Sequence, residues 1–236
     1  MEQRSTFQRY RLPIIIVAII GAVALLGVWA LGSTGATAYS CSTIYQPGAT
    51  PSPAPDADPQ PGFVQPDMGA RHIQTGTEAT YTYCPPATGP HYNAPNRGPI
   101  PPGVYGPDQA ALPQGWVHNL EHGALVVLYR GQEGDPGATT EGQAAIEAFF
   151  DGLPPSPICG VPPTQSGAGV VIARFDEMAT PFSVLVWGRI LPLDTWDEDA
   201  IMEFWNTMGE RTNPERLCPL PTATPAGSPD VSPSPS

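Results

Sequence analysis

The chain contains no lysine. All ten of its basic residues are arginine, against 22 aspartates and glutamates, and the formal net charge is −12. Arg4, Arg9 and Arg11 precede the first apolar run with only Glu2 to oppose them. From Ser33 onward seven arginines face 21 acidic residues, a net of −14. A region so poor in positive charge repels phosphate backbones and anionic lipid surfaces, so no nucleic acid is expected as a partner. The absence of lysine itself points to no function. Also missing is any Cys-x-x-Cys pair. The four cysteines stand far apart, at 41, 84, 159 and 218, which removes support for thioredoxin-like redox chemistry and for a zinc ribbon. An even number of cysteines outside the cytoplasm favours disulfides. Three pairings are open, and Cys84, beside a histidine motif, is also available as a soft metal ligand.

Long stretches cannot contribute to a core. Gln46 to Pro66 reads QPGATPSPAPDADPQPGFVQP. Repeated proline disfavours helix and sheet alike and makes a semi-extended spacer, and no regular element is expected at Phe63 or Val64 because Pro66 interrupts any pattern there. The tail from Pro219 to Ser236 is proline, serine, threonine and alanine and is expected to be disordered. What remains, on the order of 150 residues, suits one domain that buries roughly two-thirds of its unfolded surface.

The apolar run from Ile14 to Leu31 carries no charge. As a helix it spans about 27 Å at 1.5 Å per residue, close to a bilayer's hydrocarbon thickness. The preceding arginines keep that end in the cytoplasm, and Trp29 falls near the far interface. Ala36-Thr37-Ala38 has the form of a signal-peptide cleavage site, but the run exceeds the usual signal-peptide core, which favours a retained anchor. Both readings place the rest of the chain outside the cytoplasm. The expected organisation is a cytoplasmic N-terminus (1–12), a transmembrane anchor (13–32), a proline-rich linker (33–66), a globular domain (67–218) and a tail (219–236).

Within the domain, Glu78 to Tyr83 alternates like a short strand, and Ala124-Leu-Val-Val-Leu-Tyr129 is continuous enough for a buried one. Val170 to Arg174 and Phe182 to Trp187 read as two strands of a hairpin. Thr140 to Gly152 reads as a helix, and Asp194 as the N-cap of a last helix ending near Gly209. Two helices in the C-terminal half beside a mainly antiparallel sheet make an α+β domain.

All four histidines, at 72, 91, 118 and 122, fall within one stretch, in or beside PPATGPHY (85–92) and WVHNLEHG (116–123). Imidazole is the commonest metal ligand at neutral pH. On a strand, His118 and His122 would stand about 13 Å apart, too far to share an ion. Coiled up, they stand about 5–6 Å apart, and sharing is easy. A tight turn before the strand at Ala124 is therefore expected. HNLEH also matches H-x-x-E-H, the inverted zinc-peptidase pattern, with two histidine ligands and Glu121 as general base. That pattern requires a helix and a downstream acidic ligand, for which Glu198 and Glu203 are the candidates. Alternatively the histidines, with Tyr92, Trp116 and Glu121, form a hydrogen-bonded cluster that fixes loops.

These motifs, with the anchor, resemble a bacterial family of membrane-anchored proteins known as domain of unknown function 3105. Its pattern is Pro-Pro-Thr-Ser-Gly-Pro-His, then Gly-x-Tyr, then His-Asn-Leu-Glu-His-Gly and an apolar strand. The matching residues are Pro85 to His91, Gly103-Val104-Tyr105 and His118 to Gly123. Ala87-Thr88 departs from Thr-Ser, so one hydroxyl is lost. The resemblance implies a single exported domain and no particular activity.

The first functional expectation is a metal-binding module. It holds copper or zinc through His91, His118 and His122, with His72 or Glu121 completing the shell, since imidazoles with one carboxylate suit those ions better than calcium. The second is a metal-dependent hydrolase, which a helical HNLEH would favour. The third is an accessory subunit of an envelope protein complex, which a large exposed apolar patch would favour. Enzymatic activity is the less expected outcome, and the lipid bilayer is the partner of the N-terminal helix.

Overall fold

The run from Ala124 to Tyr129 has no residue suited to face water, and the fold buries it on both sides. The computed structural model of the protein describes residues 38–46, 60–109 and 111–219. Its strands are β1 (Tyr39–Ile44), β2 (Phe63–Val64), β3 (His72–Ile73), β4 (Ala79–Cys84), β5 (His91–Tyr92), β6 (Gly103–Val104), β7 (Val126–Tyr129), β8 (Val171–Arg174), β9 (Phe182–Val186) and β10 (Arg189–Leu193). Its α-helices are α1 (Pro113–Glu121), α2 (Thr140–Gly152) and α3 (Glu198–Met208). Six strands form the central sheet in the order β2-β10-β9-β7-β8-β6, and β1-β4 and β3-β5 form separate pairs.

Each strand turns alternate side chains to opposite faces. Val126, Leu128, Val171, Ala173 and Leu185 join Trp116, Val117 and Leu120 of α1 and Tyr81 of β4 in one apolar cluster. Val127, Tyr129, Ile172, Val184 and Val186 join Ile146 and Phe149 of α2 and Ile201, Phe204 and Trp205 of α3 in the other. A sheet covered on both faces has no polar alternation to display, which is why its central strand reads as a continuous apolar run. Helices and sheet make an α+β-like domain.

The sheet is mixed rather than mainly antiparallel. β7 pairs parallel with β8, and β6 also pairs parallel with β8, while the β7–β9, β9–β10 and β10–β2 pairings are antiparallel. The expected hairpin between β8 and β9 is absent, because β7 lies between them. A parallel neighbour needs a crossover, and the segment carrying α2 supplies it between β7 and β8. The hairpin that does form joins β9 to β10 through Trp187-Gly188, with Gly188 at φ +72°, a conformation glycine adopts without steric cost.

Two described strands fall within the stretch expected as linker (33–66). β1 pairs parallel with β4 from Tyr39↔Ala79 to Ile44↔Cys84. Phe63 and Val64 do form a strand, against Ile190 and Arg189, and Pro66 stops it after two residues. The described residues from Tyr39 onward belong to one compact unit. Helix α2 has the expected bounds and is capped by Thr139, whose hydroxyl accepts from the Gly142 N–H at 2.9 Å. The cap of α3 is Asp197 and not Asp194, with its carboxylate accepting from Ala200 N at 3.0 Å. Strand β10 runs to Leu193, so the chain needs three more residues to leave the sheet.

Among the described residues no helix is long and apolar enough to cross a membrane. The expected anchor, most of the tail and residues 47–59 lie outside the described residues.

Two disulfides resolve the pairing, Cys41–Cys84 and Cys159–Cys218, and no cysteine is free. They indicate an oxidising, extracytoplasmic environment. Cys41–Cys84 ties β1 to the end of β4, closing a loop with a sequence separation of 43 residues. Loop-closure entropy puts its contribution at about 4 kcal/mol. A Cys41→Ala/Cys84→Ala double variant should therefore lose about 2–5 kcal/mol of unfolding free energy. Guanidinium titration of both proteins checks this, and an unchanged midpoint would contradict it.

Candidate metal centre

The first histidine motif is a loop held at almost every residue. After Cys84 the Gln65 side chain clamps it, donating from Nε2 to Pro85 O (2.9 Å) and accepting from Ala87 N (2.8 Å). Gly188 N donates to Ala87 O, Thr88 Oγ1 accepts from Met68 N (2.8 Å), and Tyr81 OH donates to Pro90 O (2.7 Å). Ala87, where the family pattern has a hydroxyl, is fully buried in the core. Gly89 has φ +129°, and a Cβ there would stand 2.9 Å from the Tyr81 ring, so only glycine fits. The loop delivers His91 into β5, where it pairs directly with His72 of β3.

The second motif is the end of a helix. The expected turn at Asn119–Glu121 is the last turn of α1, a nine-residue helix with Pro113 in its first turn, a position where proline's missing N–H costs nothing. Gly123, at φ +94°, ends it. Gly123 N donates to Leu120 O, and Ala124 N donates to Asn119 O, the paired bonds of a Schellman cap. Every residue of HNLEHG has a role. Leu120 is in the core. Asn119 brackets Ile100, accepting from its N–H (3.0 Å) and donating to its carbonyl (2.9 Å). Asn119 was missed as a functional position, because its bonding partners lie 19 residues away.

His118 and Glu121, three residues apart, share the helix face that meets β5. His72, His91, His118 and Glu121 each bring one ligand atom into a group in which all lie within 4.8 Å of one another. Glu121 Oε2 is the centre, 2.9 Å from His91 Nε2, 3.3 Å from His72 Nε2 and 3.9 Å from His118 Nε2. Three of the four side chains are buried and His72 is exposed.

The outer nitrogens decide what the inner ones can do. His91 Nδ1–H donates to Gly89 O at 2.8 Å, and His118 Nδ1–H donates to Tyr92 O. Main-chain carbonyls only accept, so each ring carries a proton on Nδ1, and when the ring is neutral its Nε2 offers a lone pair to the centre of the group. Burial lowers the pKa of both rings. For His91 the Gly89 carbonyl and Glu121 only partly oppose it. For His118 the Tyr92 carbonyl opposes it, while His122 and His91 reinforce it. His91 Nε2 stands 2.9 Å from Glu121 Oε2, a contact that takes either a proton on the ring or a metal cation shared by the two atoms.

His122, expected as a ligand, lies outside this group. Its Nδ1 donates to Gly167 O (3.2 Å) and its Nε2 pairs with Glu215 (3.1 Å). The zinc-peptidase pattern makes the opposite assignment, with His122 as ligand and Glu121 as free base. HNLEH is helical, as that pattern requires, yet the carboxylate sits among the imidazoles. Glu198 and Glu203 are on α3, which packs on the other face of the sheet from α1. Cys84 is committed to its disulfide.

A family model described as a protein of unknown function (DUF3105) matches residues 72–220. The chain belongs to this family. The match begins at His72 and so covers all four residues of the DUF3105 domain's histidine–carboxylate group, while β1 and β2 precede it. No curated protein and no solved structure matches the chain.

The pKa directions predict a pH dependence for chelator-treated protein. Both imidazoles bind protons less readily when folded, so the unfolded chain protonates first as pH falls. Stability is full above about pH 6.5 and declines below it. A His91→Gln variant should show a shallower decline. Thermal melts between pH 8 and pH 5 check this, and a decline of the same slope in the variant would contradict it.

Proposed function

We propose that this is a metal-binding module of the cell envelope, holding one zinc or copper(II) ion through His72, His91, His118 and Glu121. The observation that carries the reading is the convergence of three imidazole nitrogens on one carboxylate oxygen, with two rings oriented by main-chain carbonyls. In a tetrahedron with bonds of about 2.0–2.1 Å, ligand atoms stand about 3.3 Å apart. The 2.9, 3.3 and 3.9 Å distances around Glu121 Oε2 bracket that value. The ligand set contains no sulfur, which suits zinc or copper(II) better than copper(I). In this reading the N-terminal apolar segment anchors the domain outside the cytoplasm.

A hydrolase is less well supported, because Glu121 is engaged as a ligand and is not free to act as base. An accessory subunit of an envelope complex has no support from an apolar patch among the described residues. Among the described residues the exposed large apolar side chains are Phe63 and Leu217. The strongest rival is a structural cluster in which a protonated His91 bonds Glu121, for which the 2.9 Å contact speaks.

Metal content decides between them. The full chain, expressed without a histidine tag into an oxidising compartment and reconstituted with each ion, should carry close to one equivalent of zinc or copper by mass spectrometry. A His118→Ala variant should lose it, with affinity falling by more than the roughly 10–100-fold typical of outer-sphere changes. Folded wild-type protein that takes up neither ion would leave the structural cluster as the answer.

A further inference from the structure

We propose that His72 is the movable ligand through which the ion enters and leaves, while His91, His118 and Glu121 form a fixed, buried tripod. This rests on the metal-binding reading above. The four residues differ sharply in how they are held. The side chains of His91, His118 and Glu121 are 0, 4 and 5% exposed, against 41% for His72. The outer nitrogens of His91 and His118 are tied to main-chain carbonyls. The main chain of Glu121 is itself held, its carbonyl accepting from Glu215 N at 3.3 Å.

His72 has no such tether. Its Nδ1 meets only the side-chain amide of Asn93, which donates from Nδ2 at 3.3 Å on the exposed surface. Its ring stacks on His118, with centroids 5.1 Å apart and planes 23° apart, and meets His91 edge-on at 4.8 Å, while 41% of the side chain remains open to solvent. The neighbours Ala70, Arg71 and Gln74 to Glu78 are exposed. Positions 69 and 76 have no heavy atom within 4 Å of where a Cβ would stand. The β3 backbone is nonetheless pinned, with His91 N donating to Arg71 O and Gly89 N to Gly69 O. The side chain can therefore rotate outward without unfolding its strand.

Asn93 selects between two tautomers of the inward-facing His72. With its amide nitrogen toward Nδ1, His72 keeps its proton on Nε2 and donates to Glu121. Turned by 180°, the amide presents its oxygen, the proton moves to Nδ1, and Nε2 becomes a ligand. Departure of His72 leaves three protein ligands and one coordination position open to solvent, the arrangement that accepts an exogenous donor. An incoming nitrogen or oxygen ligand takes that position, and the ion is exchanged by association with it. His72 and Asn93 thereby set the rate of exchange, and the tripod sets the capacity to bind.

The test uses the full chain in detergent, loaded with zinc, with release followed by the colour of 4-(2-pyridylazo)resorcinol. Wild-type release should speed up with chelator concentration. His72→Ala should keep close to one zinc and release it at least about tenfold faster, and Asn93→Ala should release it up to about tenfold faster. His118→Ala should hold no zinc. Loss of zinc from His72→Ala as complete as from His118→Ala would overturn the tripod. Release from His72→Ala at the wild-type rate would overturn the exchange route. A wild-type chain that binds no zinc or copper would instead refute the metal reading itself. A check that needs no variant is diethyl pyrocarbonate labelling of chelator-treated wild type. His72 should react before His91 and His118, and zinc should slow its reaction. Equal reactivity of the three would contradict the proposal.

Discussion

Glu121 Oε2 faces three imidazole nitrogens, and the local architecture follows from holding that contact. A buried carboxylate is costly unless positive charge, a proton or a cation, is shared with the groups around it. The chain meets that cost with rigidity. Gly89 and Tyr92 give their carbonyls to two of the rings. The loop and strand that carry those carbonyls are fixed by Gln65, Tyr81 and Gly188. Helix α1 is fixed by Asn119 against Ile100 and by its Schellman cap.

The central sheet supplies the base for this. Its buried strands set α1 through Trp116, Val117 and Leu120, and the β9–β10 turn reaches the histidine loop through Gly188. The β1–β4 disulfide joins the same assembly just before Pro85. Elements far apart in sequence thus converge on one small volume. Parts of the chain with no ligand still hold the site: Gln65, directly after β2, clamps the histidine loop, and Glu215 N donates to Glu121 O.

How much of this could be read in advance depended on the range of the interaction. β7 was legible because burial on both faces writes itself as an unbroken apolar run. α2 was legible because Thr140 and Gly152 bracket a helix-forming stretch. The clustering of the histidines and Glu121 was legible as composition, and membership of the DUF3105 family as two motifs. Pairing was not. β1 lies between an apolar run and a proline-rich stretch and meets a partner 40 residues away. β10 contains Pro192, which β2 is too short to pair, so a strand with a tolerated edge proline looked like none. H-x-x-E-H could not say whether Glu121 or His122 faces inward. That depends on the rotation of α1, set by Leu120 in the core and by Asn119 at its bracket. His72 carried no local pattern, and only its register with His91 brings it in.

X-ray absorption at the zinc edge of the loaded full chain tests the shared-cation claim most directly. The account predicts a first shell of nitrogen and oxygen at about 2.0–2.1 Å, with the multiple scattering of three imidazoles and no sulfur. A shell with one imidazole or none, filled by water oxygens, would show that the histidines and Glu121 were assembled to hold one another and not an ion.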